Sequence, residues 1–145
     1  MTITICTIGY EGATVPELVA ALQDAGVELL IDVRAVTSSR RPGFSKNALA
    51  AELAAAGIEY RHLKALGTPK AGRDAARKGD KTTLESIYAG QLALPEAQAE
   101  AAVMTGLAAV RRAALLCYER DPGMCHRSIL IRAVMPHAEV EDLFA

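Results

Sequence analysis

The sequence predicts a single-domain α/β protein over residues 1–145: a parallel, Rossmann-like sheet of about five strands with helices on both faces. Three observations carry this. Strand-patterned segments alternate with helix-patterned ones along the whole chain, which requires parallel strands joined by right-handed crossovers. The stretch VELLIDVR is almost continuously apolar, as in a strand covered on both faces. Of the 145 residues, 51% are hydrophobic and 23% charged, enough for one full core. No internal repeat, low-complexity tract or linker divides the chain.

The elements follow in order. Residues 2–8 are β-rich and form the first strand. Thr14 offers an N-cap and Glu17, three residues on, completes a capping box before VPELVAALQDAG, which Gly26 closes. VELLIDVR is the second strand. Ser45 caps an Ala/Leu-rich helix that runs to Gly57, and IEYRHL is the third strand. Residues 66–81, LGTPKAGRDAARKGDK, are polar and Gly-rich and read as a mobile loop. Helices follow over 83–94 and 95–111, the second with Pro95 in its first turn, where a missing N–H costs nothing. AALLCYE is a buried strand, residues 125–135 a largely apolar helix, and AEVEDL an edge strand.

Composition excludes several classes. MTITICTIGY has no basic leader region and reads as a strand, not a signal peptide. No apolar run approaches the roughly 20 residues that span a bilayer. Three cysteines without framework spacing point to a reducing compartment, so a cytoplasmic protein without a membrane partner is expected. The net charge is −1, yet between Val33 and Lys81 lie 11 of the 16 Lys and Arg against 4 of the 17 Asp and Glu. That basic window bears on partners, not on fold. Aromatics make up 4% of the chain and Trp is absent, which disfavours base-stacking platforms. A small anionic ligand is therefore the expected partner, ahead of nucleic acid.

In parallel sheets ligands bind at the carboxyl ends of the strands. Each chemically loaded stretch falls there: GYEGAT with Tyr10 and Glu11, RAVTSSRRPGFS, KALGTPKAGR, and ERDPGMCHR. The second loop offers Arg34, Ser39 and Arg40 ahead of a helix start at Ser45, groups that suit a phosphate or carboxylate. Asp32 is the expected partner of Arg34, because a carboxylate inside an apolar strand is seldom left unpaired. The fourth loop supplies Glu119, Cys125, His126 and Arg127. A Cys125 that opens a helix beside His126 and Arg127 meets the conditions that lower a thiol pKa. Cys125, Glu119 and His126 are the candidate catalytic groups. Arg34, Ser39, Arg40, Arg127, Asp32, Tyr10 and Glu11 are the candidate ligand-binding groups.

Cys6 and Cys117 lie within apolar strands and read as core. A zinc site from Cys117, Cys125 and His126 is not expected: adjacent Cys and His seldom point at one ion, and no CxxC pair is present. A Cys117–Cys125 disulfide is expected still less. No metal and no cofactor are assigned. GYEGAT lacks both the GxGxxG spacing and the Lys of a phosphate loop. Neither Cys117 nor Cys125 has an Arg six positions on, where Gly123 and Ile131 stand, so common thiol phosphotransfer and sulfurtransfer loops are excluded. Three readings stand: an enzyme acting on a nucleotide, phosphate or carboxylate through a Cys/Arg/Glu site; a non-catalytic module that holds an anion or a nucleic-acid end; and an edge whose charges only pair with each other, as Asp32 with Arg34 and Glu119 with Arg127.

The ordered set TIGYEG, IDVRAVTSSRRPGFS, GIEYRHLKALG and LLCYERDPGMCHRSIL resembles domain-of-unknown-function family 488 over nearly the full chain. The resemblance implies an α/β domain with a parallel sheet and no established reaction. Its recurring polar positions fall on Asp32, Arg34, Ser39, Arg40, Phe44, Glu119, Cys125, His126 and Arg127. The chain departs from the family pattern where a terminal His is usual, having VEDLF with Asp142 near that place, and again at GTPKAGRD after Leu66.

Overall fold

A computed structural model describes residues 2–145. Its sheet has five strands, all parallel: β1 (Thr4–Gly9), β2 (Leu29–Asp32), β3 (Glu59–His62), β4 (Ala113–Cys117) and β5 (Glu139–Phe144), in the order β3-β2-β4-β1-β5. The helices are α1 (Val15–Asp24), α2 (Lys46–Ala55), α3 (Lys70–Arg77), α4 (Lys81–Leu92), α5 (Pro95–Val110) and α6 (His126–Val134). Short 3₁₀ turns lie at Lys64–Leu66 and Pro122–Met124. Among the described residues no helix is long and apolar enough to cross a membrane.

Alternation along the strands builds two cores, as a doubly covered sheet requires. Ile5, Leu29, Ile31 and Leu115 pack with Tyr88, Met104, Leu130 and Ile131 of α4, α5 and α6. Cys6, Ile8, Leu30 and Leu116 pack with Leu18, Leu22, Leu49 and Leu53 of α1 and α2. Cys6 is thus core, as expected. β4 lies between β1 and β2, and the chain leaves β4 toward one face and β1 and β2 toward the other. That divergence opens a crevice at the carboxyl ends, the switch point of such folds.

Local sequence explains most boundaries. Thr14 caps α1 with both capping-box bonds formed: its hydroxyl accepts from the Glu17 N–H, and its own N–H donates to the Glu17 carboxylate. Thr14→Ala is expected to cost about 1 kcal/mol, measured by urea unfolding; no change would mean water replaces the cap without loss. Ser45 stands at the N-cap of α2, but its hydroxyl makes no cap bond. It accepts the Ser39 N–H instead and closes the β2–α2 loop.

The expected loop over 66–81 is corrected. It holds the 3₁₀ turn's last residue, α3, and the start of α4. The polar composition hides a helix of charged pairs, in which Asp74 meets Lys70 at 3.3 Å and Arg77 at 3.1 Å. Pro69 precedes this helix and Gly79, at φ 73°, follows it, the asymmetric punctuation of a helix. β5 is an edge strand beside β1, and Asp142 accepts a hydrogen bond from the Thr7 hydroxyl at 2.7 Å.

Candidate functional site

The crevice has a volume of about 800 Å³ and gathers residues that follow β1, β2, β3 and β4. Its compactness depends on glycine. A Cβ on Gly9 would fall 1.8 Å from the Glu119 carbonyl oxygen, and one on Gly67 would fall 2.2 Å from the Ala35 nitrogen. The β1 and β4 loops, and the β2 and β3 loops, therefore touch backbone to backbone.

On the α1/α2 side, Asp32 and Arg34 form a buried bidentate pair. The Arg34 Nε–H and Nη2–H donate to the Asp32 carboxylate at 2.9 and 2.8 Å, and Nη1 donates to the Phe44 carbonyl at 2.8 Å and to the Tyr10 hydroxyl at 3.4 Å. The Tyr60 hydroxyl also donates to Asp32. Tyr10 stacks on Phe44 with centroids 4.5 Å apart. The pairing of Asp32 with Arg34 thus forms as expected. It leaves Arg34 one Nη2–H for a ligand, although the side chain does line the crevice. Ser39 accepts the Arg41 N–H and Arg40 is exposed, and neither lines the crevice. Glu11 lines it and accepts the Arg120 N–H at 3.0 Å.

On the α6 side lies a cluster of sulfur, imidazole and carboxylate. Cys117 ends β4, Cys125 is the N-cap of α6, and His126 is its first residue. The His126 Nε2 stands 2.7 Å from the Val33 carbonyl. A carbonyl can only accept, so Nε2 carries the proton and Nδ1 faces the sulfurs. Nδ1 lies 3.5 Å from the Cys117 Sγ and 3.6 Å from the Cys125 Sγ. The Cys117 thiol donates to Glu119 at 3.2 Å. Cys117, Glu119 and His126 line the crevice; Cys125, 1% exposed, sits behind them.

Three expectations are corrected here. Cys117 is not simply core: it closes β4 with its sulfur on the crevice floor. The two sulfurs and Nδ1 also converge, all three atoms lying within 4.8 Å of one another. Cys125 is extended (φ −130°, ψ 155°) and His126 is helical, so neither the alternation of a strand nor the turn of a helix separates their side chains. The expected Glu119–Arg127 ion pair does not form among the described residues. Arg127 is fully buried and its Nη2 donates to the Glu119 main-chain carbonyl at 2.5 Å, and its Nε has no partner among the described residues.

Two neighbouring buried thiols share one negative charge more readily than they carry two. Burial alone raises the Cys125 thiol, but the adjacent polar Cys117 thiol and the charges of His126 and Arg127 hold it well below the ordinary value. Burial and the Cys125 thiolate push Cys117 well above it. Burial works against the His126 imidazolium, but the adjacent thiolate prevails and raises its pKa. Burial, then the same thiolate, raises the Glu119 carboxyl. On this floor the anionic form is favoured at Cys125 and disfavoured at Cys117, and the protonated form is favoured at His126 and Glu119.

Three crevice groups were missed from sequence: Thr68, Arg73 and Arg77. Thr68 is 1% exposed and its hydroxyl has no partner among the described residues. Arg73 donates to the Thr68 carbonyl at 2.7 Å. The Lys70, Asp74 and Arg77 spacing of three and four residues was the signal that could have placed the two arginines on a helix. A family model described as domain of unknown function DUF488 matches residues 14–134. No curated protein and no solved structure matches the chain.

Proposed function

We propose, from the premise that this chain belongs to the domain of unknown function DUF488 family, that it is an enzyme acting on a small anionic substrate in the crevice. The observation that carries this is that two sets of groups line one cavity: Cys117, Glu119 and His126 at the end of β4 and the start of α6, and Arg73 and Arg77 of α3. The anion is held by Arg73 and Arg77, the Thr68 hydroxyl and the free Nη2–H of Arg34. Cys117 is the sulfur presented to the substrate. The Cys125–His126 pair behind it takes the thiol proton, and Glu119 serves as acid or base on the open side. A nucleotide, a phosphate ester or a carboxylate fits the same cations.

The test is thiol labelling of the metal-free protein with iodoacetamide, read residue by residue by mass spectrometry. Cys117 is expected to react ahead of the fully buried Cys6, and phosphate or a nucleotide is expected to slow it. The double variant R73Q/R77Q is expected to weaken that protection about 100-fold, the loss of two charge-assisted hydrogen bonds at about 1.5 kcal/mol each. Equal labelling of Cys6 and Cys117, with no protection by any anion, would remove the reading. Protection that persists in a protein with no turnover on any phosphate or carboxylate ester would favour an anion-holding module without chemistry.

A further inference from the structure

We propose that Cys117, Cys125 and His126 bind one Zn²⁺ ion whose fourth coordination position opens into the crevice. The proposal stands on ligand geometry and goes beyond the anion reading. A tetrahedral zinc with bonds of about 2.3 Å to sulfur and about 2.0–2.1 Å to nitrogen sets a sulfur-to-nitrogen edge of about 3.6 Å. The two such edges measure 3.5 and 3.6 Å. All three donor atoms lie within 4.8 Å of one another, so closing the sulfur–sulfur edge to about 3.8 Å needs a contraction of no more than about 1 Å.

A second observation is independent of those distances. The imidazole presents Nδ1 to the sulfurs because its Nε2–H is held by the Val33 carbonyl at 2.7 Å. Metal-ligating histidines are oriented in this way, the far N–H fixed by a carbonyl or carboxylate. Two sulfurs and one imidazole nitrogen select zinc over magnesium or calcium, which require oxygen. In the loaded site the two thiolates neutralise the charge of the ion, as a buried cation requires.

Three protein ligands and one open position are the composition of a catalytic zinc site, not a structural one. Cys117 and His126 line the crevice and Cys125 does not, so the open position faces the substrate side. Glu119, 3.2 Å from the Cys117 sulfur, is placed to accept a proton from a water bound there, leaving a metal-bound hydroxide. In the zinc-loaded chain Cys117 serves as a ligand and the bound water faces the substrate, while the sulfur role proposed above belongs to the metal-free protein.

The experiment is a zinc titration of the chelator-treated chain against a chromophoric competitor, with Co²⁺ as a spectroscopic substitute. One zinc per chain with a dissociation constant below about 1 μM is expected, since zinc bound by thiolates is held at least that tightly. Co²⁺ should give thiolate charge-transfer bands and the strong visible bands of a tetrahedral ion. Cys117→Ala and Cys125→Ala should each weaken binding at least 100-fold, and Cys6→Ala should not. Should the variants unfold, the wild-type chain supplies the second measurement: zinc should block labelling of Cys117 and Cys125 together and leave Cys6 unaffected. Binding weaker than 100 μM, or zinc that leaves the Cys117 and Cys125 labelling rates unchanged, overturns the proposal. Anion protection of Cys117 in the metal-free protein is read separately, so the metal site and the anion crevice can fail independently.

Discussion

Replacing Asp32 with alanine is expected to destabilise the protein by about 3–5 kcal/mol, the cost of breaking a buried ion pair from one side. Asp32 is fully buried and Arg34 is 5% exposed. Removing the carboxylate strands a guanidinium that cannot shed its charge and leaves the Tyr60 hydroxyl without its acceptor. Arg34 also ties the β2 loop to Phe44 and Tyr10, so the α1/α2 side of the crevice should loosen with it. Denaturant unfolding of Asp32→Ala measures the loss. The double variant D32A/R34M should recover a large part of it, because replacing both partners removes the uncompensated charge. A single variant within about 1 kcal/mol of the native protein would mean that water reaches this pair.

Gly9→Ala is the second large effect, expected at about 3 kcal/mol, the upper part of the range for overpacking. The added methyl would sit 1.8 Å from the Glu119 carbonyl oxygen and 2.4 Å from its carbon. Those are backbone atoms, with no flexible side chain to yield. The β4 loop must therefore move away from β1, carrying Glu119 and the carbonyl that Arg127 holds. Both stability and the preferential labelling of Cys117 should fall together. Retained stability with altered labelling would show that the loop moves freely, and retention of both would contradict the close approach.

The fold was legible because its signals are local. The capping box at Thr14, the doubly covered pattern of β2 and the order of strands and helices need no knowledge of distant contacts. The loop at 66–81 was misread for the converse reason. Its composition is that of a loop, while its helical content lies in the spacing of Lys70, Asp74 and Arg77. The pairing of Asp32 with Arg34 was legible because both lie on one strand end, two residues apart. The pairing of Glu119 with Arg127 was not, since Arg127 turns into the α6 side and meets a main-chain carbonyl there.

Sequence alone therefore determined the α/β architecture, the family, the edge on which chemistry-bearing residues collect, and the individual presence of Cys125, His126 and Glu119 on it. Tertiary structure decided which of these groups meet. Cys117 joins them because the register of β4 between β1 and β2 carries its sulfur to the α6 side at the open end of the strand. Cys125 and His126 converge because the backbone changes from extended to helical between them, and the Val33 carbonyl on another strand turns the imidazole. Side-chain direction at a strand end or a helix start depends on partners remote in sequence, and no periodicity within the chain encodes it.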